Sequence, residues 1–451
     1  MQMQGKPLGD IVHAIDAALP RAGDASGLRR DPLAWLARAR RRHGDAFVIG
    51  EGAPLLSRAP DCAGVVAVFG ADRHRAVLTD IDNYALPISA AQLLDLPAPL
   101  QNLNAGLHSM RGEAHGRDKR IVGAALADAG ARGDVETLVA AQCARWRRRS
   151  AVRLLDAMRA LTLTLASRVL FGDAAFATST LMEYFHLRRA ATLGNQGGDA
   201  DVRAALIRRG LAADAALRAW RRAAHGDGAL ARLAQNDALS DDAFVAHANV
   251  AFISCYEPVA VALTWLVLLL SQRPDVRAAL RAAPPDDGSR HGLVERVVDE
   301  ALRVLTPNAL MVRVTAAPVV LAGAALPRGS EIVLCPFLAH RDPRTFAQPR
   351  RFSPSRWLGT RPSPFDYFPF GAGGHACVGR ALALRLVGDA VAALARCADI
   401  VLAGDQAVDW RVHIMLLPTH DPVVRFRGVR RAAEGGAIFG GLLRLVDFKE
   451  Q

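Results

Sequence analysis

The sequence predicts a mainly α protein with a small β portion. Three observations carry that expectation. Long stretches repeat their apolar residues at helical spacing, β-like runs are short and few, and proline and glycine are scattered through short loops. The chain has 451 residues, 51 % of them hydrophobic, which is ample for a large core. Length alone would suggest two or three domains, yet no linker divides the chain and no repeat is visible.

The elements follow in order. Asp31-Pro32-Leu33-Ala34 opens a helix over residues 31 to 43, with aspartate as cap and proline in the first turn. Val65-Val66-Ala67-Val68-Phe69 reads as a strand, and residues 84 to 107 as loop. Helical patterns cover 112 to 127, 134 to 171, 176 to 194, 200 to 223, 241 to 271 and 291 to 305. Short β segments are expected at 311 to 323 and 331 to 335. A last helix follows over 378 to 397, and a closing β region lies around Val412-His413-Ile414-Met415.

The net charge is +12, carried by arginines spread along helices such as Arg145, Arg147, Arg148 and Arg149. Such spreading reads as solvated faces, and no nucleic-acid module accompanies it. The six cysteines are far apart and follow no pairing rule, which fits a reducing, cytoplasmic setting. Met1-Gln2-Met3-Gln4-Gly5-Lys6 lacks the apolar core of a signal peptide. The longest apolar run, Val259 to Leu270, is too short to span a bilayer. A protein without a membrane segment is expected.

One cysteine stands apart. Cys377 lies in Phe370-Gly371-Ala372-Gly373-Gly374-His375-Ala376-Cys377-Val378-Gly379, directly before a helix-forming stretch. Glycines let the backbone fold close around the sulfur and let a flat group lie against it. A loop feeding a helix N-terminus supplies the N–H donors and positive potential that a thiolate needs. Haem iron with the thiolate as proximal ligand suits such a site. Cys62, which also has glycine two places on, has Leu55 and Arg58 where the Cys377 loop has Phe370 and Gly373.

The loop matches the signature Phe-x-x-Gly-x-x-x-Cys-x-Gly, and here the chain resembles the cytochrome P450 family of haem-thiolate monooxygenases. Further motifs follow in order: His115-Gly116-Arg117-Asp118-Lys119, Glu300-Ala301-Leu302-Arg303, His340-Arg341-Asp342-Pro343, Pro349-Arg350-Arg351-Phe352 and Arg356-Trp357. The resemblance covers roughly residues 30 to 427. It implies one large domain over 1 to 427; residues 428 to 451 form a C-terminal tail that is either disordered or docked, with fraying the favoured expectation for a terminus. It implies haem b (iron protoporphyrin IX), with Cys377 as iron ligand and Phe370 and Gly379 in the cofactor loop. His115, Lys119, Arg313 and His375 are assigned to the haem propionates. Lys119 replaces the usual arginine and binds as a point charge, not a planar fork. Glu300 and Arg303, three apart on a helix, are expected to form a buried network with Arg351 that fixes the cysteine loop. The basic side chains Arg111, Arg117, Lys119, Arg120, Arg380 and Arg385 are expected to meet an acidic ferredoxin or flavodoxin, whose docking would weaken with salt. A monomer is expected.

The pattern breaks in the oxygen-binding helix. Where the family has Ala/Gly-Gly-x-Glu/Asp-Thr, this chain reads Ser254-Cys255-Tyr256-Glu257-Pro258. The acid is kept as Glu257, but Pro258 has neither the hydroxyl that organises a proton-supplying water nor an N–H for the Ser254 carbonyl. Four readings stand: a tolerated kink, protons carried by substrate hydroxyl or amine groups, an altered relay through Glu257 and Ser254, or a peroxide-driven or rearrangement reaction. Peroxygenase relatives place arginine before such a proline to hold a fatty acid carboxylate. Glu257 would repel one. Apolar wall candidates are Leu93, Leu94, Leu96, Ile253, Leu310, Met311 and Met415, which suit a small lipophilic substrate of secondary metabolism.

Overall fold

The computed structural model describes residues 14–57, 61–87, 96–127, 129, 132–173, 176–193, 199–223, 226–283, 292–412, 414–429 and 435–448. Of the described residues, 54 % are helical and 14 % strand, in a single domain, as the sequence predicts. Asp31 caps the helix Pro32–His43 by accepting from the Ala34 N–H at 2.9 Å. The strand Gly64–Val68 is second in a five-stranded sheet, between Ala46–Glu51 at the edge and the central, parallel strand Glu331–Leu334.

The central helix, Asp241–Ser271, is capped by Ser240 and runs through the core with Pro258 inside it. It is long and apolar enough to cross a membrane, but most of its apolar window is buried within the protein. Leu154–Phe171 packs along one side of it. Arg380–Cys397 packs against it from the cysteine side.

Three expectations need correction. The pattern over 134 to 171 is two helices, Arg132–Arg147 and Leu154–Phe171, because Val152–Arg153 leaves the helix to pair with Val423–Arg427. The expected loop 84 to 107 contains the strand Tyr84–Ala85 and the helix Ala98–Leu103, which Pro97 and Pro99 help to start.

The third correction concerns the tail. Residues 435–448 are docked, not frayed. Ile438–Phe439 pairs in parallel with Gln406–Ala407, and Leu442 and Val446 are fully buried. Asp447 then bonds along the Arg350–Phe352 backbone, donating to Arg350 O at 2.8 Å. Burial of these apolar side chains outweighs the entropy of ordering so short a segment.

Candidate functional site: a cation-edged cavity facing Cys377

The cysteine loop is held before it reaches the sulfur. Burial and the Arg341 and Arg303 charges keep the His340 imidazole well below its usual pKa range, so it is neutral. Its Nε2 accepts from the Phe368 N–H at 3.0 Å. Gly371 N–H donates to Phe368 O and Cys377 N–H to Phe370 O, both at 2.9 Å. Gly371 and Gly373 have φ +69°, and a Cβ on Gly373 would come within 1.9 Å of Leu78 O. Only glycine meets both demands there.

Glu300 and Arg303 anchor the segment behind this loop, and both side chains are fully buried. Arg303 Nη2 and Nε reach the Glu300 carboxylate at 2.8 and 2.9 Å. Arg303 also donates to the carbonyls of His340, Pro349 and Arg351. Ser353 N–H, Trp357 Nε1 and Arg356 Nε complete the bonds to Glu300. The third side chain of the network is therefore Arg356, not Arg351. The 3-10 turn Pro354–Leu358 swings Arg356 back to Glu300, while the Arg351 side chain bonds Gln348 at the surface.

Cys377 opens into a cavity of about 580 Å³. Burial pushes its thiol pKa up, against the Gly379 N–H, Lys119 and Arg380, which favour the thiolate. His115, Lys119, Arg313, His375, Phe370 and Gly379 all line the same cavity. Lys119 Nζ donates to Gly374 O at 2.6 Å, and the His115 and His375 rings meet edge-on at 4.5 Å. Burial holds His375 down to about 4, with help from His115, Arg313 and Lys119, and holds Arg313 down to about 10. Arg313 is 3 % exposed, and among the described residues its side chain makes one hydrogen bond, to Val312 O at 2.9 Å. A guanidinium has five donors. This edge of the cavity is electrostatically incomplete without an anion, and a flat group carrying carboxylates and a thiolate-bound iron fits it. His108, missed in the sequence, lies at the same edge.

The central helix forms the opposite wall. His247, Val250, Ala251, Ser254, Cys255, Pro258, Val259 and Ala262 face the cavity at three- and four-residue spacing. Ile253, an expected wall residue, lies off that stripe. Leu310 and Met311 line the cavity, whereas Leu96 and Met415 do not, and Ile414 takes the place given to Met415. Leu96 is a core residue, and Met415, whose backbone bridges to Asn308, packs partly buried against the main core. Leu93 and Leu94 lie outside the described residues.

Glu257 is not part of the wall. It is buried on the side of the helix facing Leu154–Phe171, where Arg159 forks onto its carboxylate and Arg189 Nη1 joins at 2.9 Å. His247 Nε2 lies 2.9 Å from Asp118 Oδ2, and both are almost fully buried. These partners come from distant helices and carry no local signal in the sequence.

Fold, cysteine loop and cation-edged cavity together fit a haem-thiolate site. Residues 218–388 match the family model "Cytochrome P450". Cyclooctatin synthase of Streptomyces melanosporofaciens is 36 % identical over 152 residues, 31 % of this chain and 33 % of that one. Cyclooctat-9-en-7-ol 5-monooxygenase of the same organism is 40 % identical over 102 residues, 22 % of each chain. The matches thus span a third or less of these relatives' length. The solved haem domain of cytochrome P450DA has the same fold, with TM-score 0.74 and 20 % identity, covering 92 % of this chain and 98 % of that one. The chain thus has the fold of solved cytochromes P450, and residues 218–388, under half of its length, match that family's model.

Proposed function

We propose that the chain is a monooxygenase that inserts one oxygen atom of dioxygen into a small, largely apolar substrate, in the tailoring of a secondary metabolite. The observation that carries this reading is the Cys377 sulfur opening into a largely apolar cavity beside the cations Lys119 and Arg313 and the imidazoles of His115 and His375. The matched relative named cyclooctat-9-en-7-ol 5-monooxygenase supports a small, largely apolar substrate.

Haem b, when bound, supplies the activation of dioxygen. Cys377 holds the iron, and His115, Lys119, Arg313 and His375 hold the propionates. The apolar walls exclude bulk water and place the substrate. Ser254 presents the hydroxyl on the helix wall that can hold a proton within the cavity. Glu257 contributes a proton only when Arg159 and Arg189 release its carboxylate, because both guanidinium groups hold it outside the wall. An acidic ferredoxin or flavodoxin delivers electrons at the basic surface around Arg111, Arg117, Arg120 and Arg380, all exposed. A cytoplasmic monomer is the working state.

Pro258 favours a second reading, a peroxide-driven oxidation, dehydration or isomerisation on the same scaffold, since the helix lacks the usual hydroxyl there. Reductase, ferredoxin and NADPH with labelled dioxygen, set beside peroxide alone, separate the two. Label entering the product from dioxygen supports the first. Turnover on peroxide alone, or product without added oxygen, supports the second.

A further inference from the structure

Hydroxyl groups inside the helices of this protein normally bond back along their own helix. Thr264 Oγ1 donates to Ala260 O at 2.7 Å, and Ser271 Oγ to Leu268 O at 2.7 Å, both on the central helix. Ser167 does the same to Leu163 O at 2.7 Å. Ser254 does not: it is exposed to the cavity, and among the described residues its hydroxyl has no hydrogen-bond partner, as is true of the buried Thr162 hydroxyl away from the cavity. One turn on, Pro258 has no N–H, so the Ser254 carbonyl loses the donor that every ordinary helix position supplies. The proline ring also presses that carbonyl aside, and both residues line the cavity.

The other polar side chains of the wall are occupied or unsuited. His247 is bonded to Asp118. Burial pushes the Cys255 thiol up to about 12, leaving a weak neutral donor. Asn308 is the remaining polar handle, its backbone fixed by the bridge to Met415. Ser254 thus offers one carbonyl that needs a donor and one hydroxyl that can give or take a hydrogen bond.

We propose that Ser254 is a specificity-determining residue that binds an alcohol on the substrate, its proline-freed carbonyl accepting from the substrate O–H and its hydroxyl, or the Asn308 amide, donating to the same oxygen. A ketone or ether lacks the donor. A protonated amine is disfavoured in a cavity already edged with cations. The protein therefore acts after an earlier step has placed a hydroxyl on the apolar skeleton. This rests on the proposed function only in taking the cavity as the substrate's place.

The test uses the haem-loaded protein and calorimetric titration with menthol, menthone and menthyl methyl ether, three probes of one skeleton. The wild type should bind menthol about tenfold more tightly than the methyl ether, the worth of one good hydrogen bond. Pro258→Ala restores the N–H and should abolish the preference. Ser254→Ala keeps the carbonyl and should reduce it. Menthol binding no tighter than the ether, whether both bind or neither does, overturns the proposal. So does a preference that survives Pro258→Ala. Alcohol preference without oxygen incorporation would leave this inference standing while the monooxygenase reading failed.

Discussion

On the cysteine side of the cavity, Glu300 accepts from four groups, Arg303 holds three carbonyls, and His340 ties down the loop at Phe368. On the opposite wall, Ser254 has a hydroxyl with no partner among the described residues and a carbonyl stripped of its donor, and Glu257 is turned away into Arg159 and Arg189. The first region meets most of its polar demands internally, although His340 Nδ1 has no partner among the described residues. The second leaves them open where a small molecule would sit. Structural rigidity has been concentrated behind the sulfur, and chemical choice on the helix across from it.

The comparison predicts opposite responses to substitution. Glu300→Ala should cost about 3–5 kcal/mol, because it leaves the Arg303 charge buried without its partner. Arg356→Ala should weaken stability clearly more than Arg351→Ala, as read by chemical denaturation, since the Arg356 side chain alone reaches Glu300. Equal effects would break the account of that network. Truncation after Gly428 should cost about 3 kcal/mol or more, since Leu442 and Val446 are each worth about 1.5–3 kcal/mol of burial. The melting temperature reads this directly.

Across the cavity the sign reverses. Pro258→Ala restores a helical hydrogen bond and should raise stability, by up to about 3 kcal/mol. A loss of stability would mean that the proline is packed into its helix as tightly as the cysteine side is. The smallest effect concerns pH. His340 is held neutral in the fold, so its contribution is present above the ordinary imidazole pKa of about 6.5. It is lost as pH falls below that value, because the unfolded chain takes up a proton that the native one refuses. Melting temperatures measured downward from pH 7 should show this decline, and His340→Gln should flatten it.

What the sequence disclosed follows the same division. The Asp31 cap, the Glu300–Arg303 spacing and the glycines around Cys377 are local patterns, and each is found where its local chemistry puts it. Long-range partners were invisible. Arg159 and Arg189 lie 98 and 68 residues from Glu257, and no spacing rule joins them. Arg356 displaced Arg351 because a single 3-10 turn decided which arginine bends back. Ile253 was taken for the wall where Ser254 stands, an error of one residue in helical phase, or about 100° around the axis. Fraying was favoured for the tail because it is a terminus beyond the reach of the resemblance, although its apolar run could dock and the core offered it a place.

The bond between the Cys377 sulfur and iron is most directly tested by reducing the haem-loaded protein under carbon monoxide and recording its absorption spectrum. The account predicts the strongly red-shifted band of thiolate ligation, and its loss in Cys377→Ala. A folded wild-type protein that binds haem without that band, or a Cys377→Ala variant that keeps it, would contradict the account.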